Sequence, residues 1–209
     1  MNTQSHILMG ALLFGKPAPR LAWAGAAGGL LPDLPMYALV GGFVAAGYPL
    51  KEIFDTFYWE PWWQIVNGLG HSLLVWGALS IGSCAAIVRR SRLGLPTPAY
   101  PGVQVAPLVL AFSLSALLHS AIDFLVHRAD AHMQFWPVTD WRFRSPVSYW
   151  DADFYGTWFG LFEAGLGVVM AVLLFRRYRS PRLRLALLVA VALYVAVPVF
   201  FFFHHHGAT

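Results

Sequence analysis

Apolar runs of membrane-crossing length constrain this chain more than any other feature. They lie at about residues 21–48, 68–88, 103–126, 156–175 and 185–203, and about 20 apolar residues are enough to cross a hydrocarbon core of about 30 Å. The charged fraction of 11% and mean hydropathy of +0.58 agree, since an ordinary soluble domain carries roughly 25% charged residues. The expected fold is all-α: a polytopic helical membrane protein in which residues 1–209 form one integral membrane domain with about five transmembrane helices. The formal charge of +4 does not point to nucleic acid, because no basic segment with interleaved aromatics lies outside the runs.

The basic residues read as topology signals instead. If the loop holding Lys16 and Arg20 is cytoplasmic, strict alternation puts Arg89, Arg90, Arg92, Arg176, Arg177, Arg179, Arg182 and Arg184 on the same side, ten basic residues in all. The other side keeps Lys51, Arg128, Arg142 and Arg144. That asymmetry follows the positive-inside rule. It predicts a bacterial-type inner (plasma) membrane protein with long outward loops at residues 49–67 and 128–155.

Residues 5–15 are apolar but too short to span, and Gly15, Pro17 and Pro19 follow them, so a short re-entrant or interfacial helix is expected at the N-terminus. No positive residue precedes that stretch and no small-residue cleavage site follows, so it does not read as a removable signal peptide. Pro32 and Pro35 flank Asp33 and break the first full run. Broken helices at membrane depth survive where they are buried in protein or line a polar cavity.

Ionisable residues inside the runs carry the functional signal, because each is costly in lipid unless it is paired or faces a cavity. They are His6, Asp33, His71, His119, Asp123 and, at the edge, His127. At about 1.5 Å per helical residue, His71 lies roughly 27 Å from Arg89 and His119 roughly 24 Å from residue 103. Asp33 and His6 come out at roughly 20 and 15 Å from Arg20 and Lys16, so four segments bring polar groups to the outer half. His119, Asp123 and His127 are spaced i, i+4, i+8 and share a helix face with Ser120 beside them. Cys84 is the only cysteine, so any metal must be held by His, Asp or Glu. Two imidazoles and carboxylates suit zinc and related ions. The competing readings are a proton or ion path and purely structural polar packing.

The outer loops add candidates. Asp130 and His132 are close enough to the His119 helix to close over its top. Arg142 and Arg144 are candidates to receive an anionic group, against ordinary surface charge. Trp136 and the other loop aromatics either anchor at the interface or wall a substrate site. Ser145, before Pro146, reads as a turn residue, and Glu163 as a weaker site member that pairs with a bundle histidine or arginine. His204, His205 and His206 read as a tail that binds metal adventitiously.

The blocks SHILMGALL, LLPDLPM, GHSLLVW and LLHSAIDFLVH resemble those of the YdjM-like inner-membrane proteins, described as membrane-bound metal-dependent hydrolases. That resemblance covers the N-terminal two thirds and implies His6, Asp33, His71, His119 and Asp123 as metal-site residues, the set that depth also selects. The family usually carries His-Arg-Gly shortly before the Thr-His-Ser block. This chain reads VNGLGH at 66–71, so one expected histidine is absent. The block FWPVTDWRFRSPVSYWD resembles a subgroup labelled as cobalamin-biosynthesis membrane proteins, but the chain lacks the Gly-rich phosphate loop and Cys–His arrangement that such chemistry would use.

The combined expectation is a hydrolase holding one or two divalent ions, most naturally zinc, in an outward-facing cavity. Asp33 or Asp123 takes the proton of a metal-activated water, and the substrate is a membrane lipid or amphiphilic ester, phosphoester or amide. The alternative is a protein that binds or moves a metal ion or proton without turnover.

Overall fold

The computed structural model describes residues 1–94 and 105–206, with side chains described as far as residue 196. Among these residues it is all-helical: α1 (Thr3–Phe14), α2 (Pro19–Leu30), α3 (Leu34–Ala45), α4 (Leu50–Asp55), α5 (Pro61–Gly70), α6 (Leu73–Arg92), α7 (Val105–Val126), α8 (Gly156–Arg177) and α9 (Pro181–His206). Single 3-10 turns fall at Phe57–Trp59 and Ala152–Phe154.

Three helical stretches among the described residues are long and apolar enough to cross a membrane: Pro61–Arg92, Val105–Val126 and Gly156–Arg177. A fourth is formed if α2 and α3, bent by 58° across their break, count as one span. This is fewer than the five expected. The fifth run lies in α9, whose far-end side chains, including the expected adventitious site at His204–His206, fall outside the described residues, as does the start of the third run at residues 103–104.

Proline places several of these helices. Pro19, Pro35 and Pro61 sit in the first turn of α2, α3 and α5, where a missing N–H costs nothing. The expected loop at 49–67 is a correction: α4, the 3-10 turn and the first two turns of α5 occupy it. Gln64 and Asn67 interrupt the apolar run and disguise the start of a helix that Pro61 opens. The segment at 128–155 is mostly irregular, as expected.

α7 is the central strut, with α2 and α6 packed against it, while α1 pairs with α2 and runs beside α8. The α1–α2 approach requires glycine, because a Cβ at Gly10 would lie 2.2 Å from the Gly25 carbonyl oxygen. Small residues allow such main-chain contact between membrane helices. An apolar core of Leu8, Met170, Ala171, Leu174, Leu187 and Tyr194 joins α1, α8 and α9. Outward-facing side chains such as Ile81, Trp158 and Val169 are exposed, as expected where lipid replaces a protein neighbour. At the end away from the site, Arg177 donates to the Leu12 carbonyl (2.7 Å) and Arg184 to that of Tyr178 (3.1 Å).

Candidate metal centre

Two helix breaks meet at the centre of the molecule, and each supplies a donor. Asp33 sits at the α2–α3 break and His71 at the α5–α6 break, and a Cβ on Gly70 would lie 2.6 Å from the Pro32 carbonyl oxygen. The unbroken α7 adds His119 and Asp123, one turn apart on its buried face.

The breaks also brace the histidines. The Asp33 N–H turns back to the Leu30 carbonyl (3.2 Å), which leaves the Gly29 carbonyl to accept from His119 Nδ1 at 2.8 Å. His71 Nδ1 donates to the Asn67 carbonyl at 3.0 Å. Donation from Nδ1 to a main-chain carbonyl orients each ring and turns both Nε2 atoms to the interior. His71 Nε2 lies 3.3 Å from Asp33 Oδ1 and 3.6 Å from Asp123 Oδ2, and His119 Nε2 lies 3.6 and 3.0 Å from the same two atoms. Among the described residues neither Nε2 has a hydrogen-bond partner.

Imidazole nitrogens that converge with carboxylate oxygens without hydrogen-bonding to them are arranged as donors round a cation would be. The donor atoms of Asp33, His71, His119 and Asp123 all lie within 4.8 Å of one another. A tetrahedral ion with ligands at about 2.0–2.1 Å has donor–donor edges of about 3.3–3.4 Å. The four nitrogen–oxygen distances straddle that value, so this donor set fits a zinc-sized divalent ion.

His6 is brought to the same place but grips the other oxygen. Its Nε2 hydrogen-bonds Asp123 Oδ1 at 3.0 Å and its ring stacks on His119 at 3.6 Å. The Met1 amino nitrogen reaches the same Oδ1 at 2.8 Å. Asp123 thus spends one oxygen on the N-terminal segment and turns the other to the cage.

A second group adjoins the first. Asp123, His127 and His132 are buried, with donor atoms within 4.8 Å of one another. His127 continues α7 by one bond, its N–H donating to the Asp123 carbonyl (3.0 Å), and its Nε2 lies 3.5 Å from Asp123 Oδ2. Downstream residues pin that helix end: the Ser145 N–H donates to the His127 carbonyl (3.0 Å), that of Tyr149 to the Val126 carbonyl (2.9 Å), and Ser145 Oγ to the Leu125 carbonyl (2.5 Å). Ser145 therefore does the work of a turn, as its place before Pro146 predicts.

Burial opposes a charged His127, but Asp123 and Asp130 beside it outweigh burial and raise its pKa above the usual imidazole value. Asp130, despite burial, is held below the usual carboxylate range by His127. His132 is pushed well below the ordinary value, first by burial and then by His71 and His127, and stays neutral at neutral pH. Burial also raises Tyr58, to about 12, and Tyr149, both of which face Asp33 and Asp130.

The remaining candidates fall outside the cluster of donors. Arg142 directs Nη1 to Gln64 Oε1 (2.7 Å) and to the Ala131 carbonyl (2.9 Å), tying the 128–155 segment to α5. Arg144 is exposed. Trp136 is half-buried, and its carbonyl accepts from Ser72 Oγ at 2.6 Å. Glu163 meets Asn2 and Ser5 rather than the basic partner expected: it accepts from the Asn2 N–H (2.7 Å), Asn2 Nδ2 (2.9 Å) and Ser5 Oγ (2.6 Å), anchoring the start of α1.

Sequence reasoning missed Thr3 and Tyr37. The Thr3 hydroxyl donates to Asp33 Oδ2 and meets Tyr37 Oη at 2.7 Å. Nothing in local spacing marks that chain, which depends on α1 lying beside the α2–α3 break.

A model of the family described as YdjM inner membrane protein matches residues 1–205. Comparison with curated proteins and with solved structures gives no match.

Proposed function

The chain belongs to the YdjM inner membrane protein family, and from that premise we propose that it is a membrane-embedded, metal-dependent hydrolase. Its cage would be formed by Asp33, His71, His119 and Asp123, and its substrate is a lipid-like or amphiphilic ester, phosphoester or amide. The observation that carries this reading is the convergence of two carbonyl-braced Nε2 atoms on two buried carboxylates. A divalent ion held there, zinc by the chemistry of the donors, supplies Lewis-acid activation of water.

The chain's own residues divide the remaining work. Asp33 is the most accessible carboxylate of the cage, its side chain 13% exposed against 2% for Asp123. Its Oδ2 adjoins Thr3 and the exposed Tyr37, which makes Asp33 the proton acceptor and Thr3–Tyr37 its outlet. His6 acts as a positioning residue that fixes Asp123. Ten of the fourteen basic residues fall on the side away from the site by strict alternation, so the positive-inside rule would turn the site outward, with α9 as the fifth span.

The same cage supports a second reading, cation or proton handling without turnover, because four protein donors complete a tetrahedron and leave no open position. Elemental analysis of detergent-purified protein, tag removed and His204–His206 replaced, separates these readings from mere polar packing. We expect a stoichiometric divalent metal in the parent that is lost in His119→Ala and Asp123→Ala. A metal-free parent would sink both metal readings. Retained metal with no hydrolysis across chromogenic esters, phosphodiesters and amides would favour the non-enzymatic one.

A further inference from the structure

The four-donor cage uses only part of the buried donor set, and the unused part is organised. His127 presents two buried ring nitrogens that lack hydrogen-bond partners among the described residues. Its Nδ1 lies 3.0 Å from Asp130 Oδ2, which also accepts from Trp150 Nε1 at 3.1 Å. Its other nitrogen faces Asp123 Oδ2. His127 thus stands between two carboxylates, Asp130 near one ring nitrogen and Asp123 near the other, close to the setting in which a histidine ligates a metal with a carboxylate behind it.

His132 completes the set. Its ring stacks on His71 at 3.7 Å and lies 4.8 Å from His127, so it is fixed between the two groups. We infer that Asp123, His127 and His132 form a second divalent-cation site, sharing Asp123 Oδ2 with the first cage, with Asp130 as the residue that orients His127.

The inference rests on the proposed metal-centre reading and gives it what the first cage lacks. Three protein donors leave a coordination position open, the property that separates catalytic from structural zinc sites. The open site lies beneath the outer segment, under Tyr149, whose ring is 4.7 Å from that of His127. The second ion would then offer, beside the first, the open position for water that the closed cage lacks.

Metal stoichiometry tests the inference. The parent, equilibrated with zinc, is expected to bind two ions per chain and His132→Ala one, while His71→Ala loses the first-cage ion. One ion in the parent that is unchanged in His132→Ala would overturn the second site and leave the first reading intact, whereas none in the parent would overturn both. A measurement on the parent alone guards against misfolded variants. Loaded with manganese, a carboxylate-bridged pair should give a spin-coupled electron paramagnetic resonance spectrum. Isolated six-line signals at full loading would also overturn the shared site.

Discussion

The floor and the roof of the centre are held by different kinds of bond. On the floor, the rings of His71 and His119 are braced by main-chain carbonyls of Asn67 and Gly29, and glycine lets α2 approach α7 at Gly28 and the α5–α6 break approach Pro32 at Gly70. In the roof, side chains meet side chains: Asp130 lies beside His127, Trp150 donates to Asp130, and Arg142 ties the segment to Gln64. A main-chain brace moves only when a helix moves, so the floor should fail as a unit. A side-chain brace can be removed singly, so the roof should yield by degrees.

The largest expected effect tests the floor. A Cβ at Gly29 would lie 2.3 Å from the His6 carbonyl oxygen, and neither backbone can turn aside as a side chain would. Gly29→Val should displace α1, withdraw the carbonyl behind His119, and abolish metal binding. It should also cost about 3 kcal/mol or more, the upper range for overpacking, read as a lower melting temperature in detergent. Gly41→Val, where a Cβ meets nothing within 4 Å, is the matched control. If Gly29→Val keeps its metal and its melting temperature, the main-chain account of the floor is wrong.

A smaller effect tests the roof. Asp130→Asn keeps the shape of the brace behind His127 but removes its charge, and substitutions of that kind cost roughly 10–100-fold in metal affinity. Chelator competition should show the loss for one ion, the other holding its parent affinity. Equal weakening of both would mean that floor and roof are one cooperative network. For comparison, Arg142→Gln should leave both affinities within a few-fold and expose the 128–155 segment to limited proteolysis, at about 1–3 kcal/mol for the lost charged hydrogen bonds.

How much of this was legible in the sequence follows the same division. His6, Asp33, His71, His119 and Asp123 could be found because an ionisable group in an apolar run stands out on cost alone. His127 followed from its i+4 spacing, and Asp130 and His132 from nearness in sequence. The braces could not be found. The carbonyl of Gly29 is available only because the chain bends at Pro32, and which ring it meets depends on α7 being the neighbour. Glu163 invited a basic partner and met Asn2 and Ser5 instead, because α1 lies inside the bundle against α8. The helix at 61–70 was hidden by Gln64 and Asn67, polar residues that serve the site: Gln64 ties down Arg142 and Asn67 backs His71.

The smallest expected effect asks what kind of brace Asp130 is. Trp150 donates its indole N–H to Asp130 Oδ2 at 3.1 Å, but Trp150 is 57% exposed, so water competes for the same oxygen. Trp150→Phe removes the donor and keeps most of the ring. It should cost less than about 1 kcal/mol in stability, the low end for a hydrogen bond that solvent can replace. Affinity for the second ion should fall by less than about five-fold, since 1.4 kcal/mol corresponds to a factor of ten. The same chelator competition used for Asp130→Asn measures it. If Trp150→Phe weakens the ion as much as Asp130→Asn does, the orientation of the carboxylate rather than its charge secures His127. The roof would then be as rigid a framework as the floor, built from side chains.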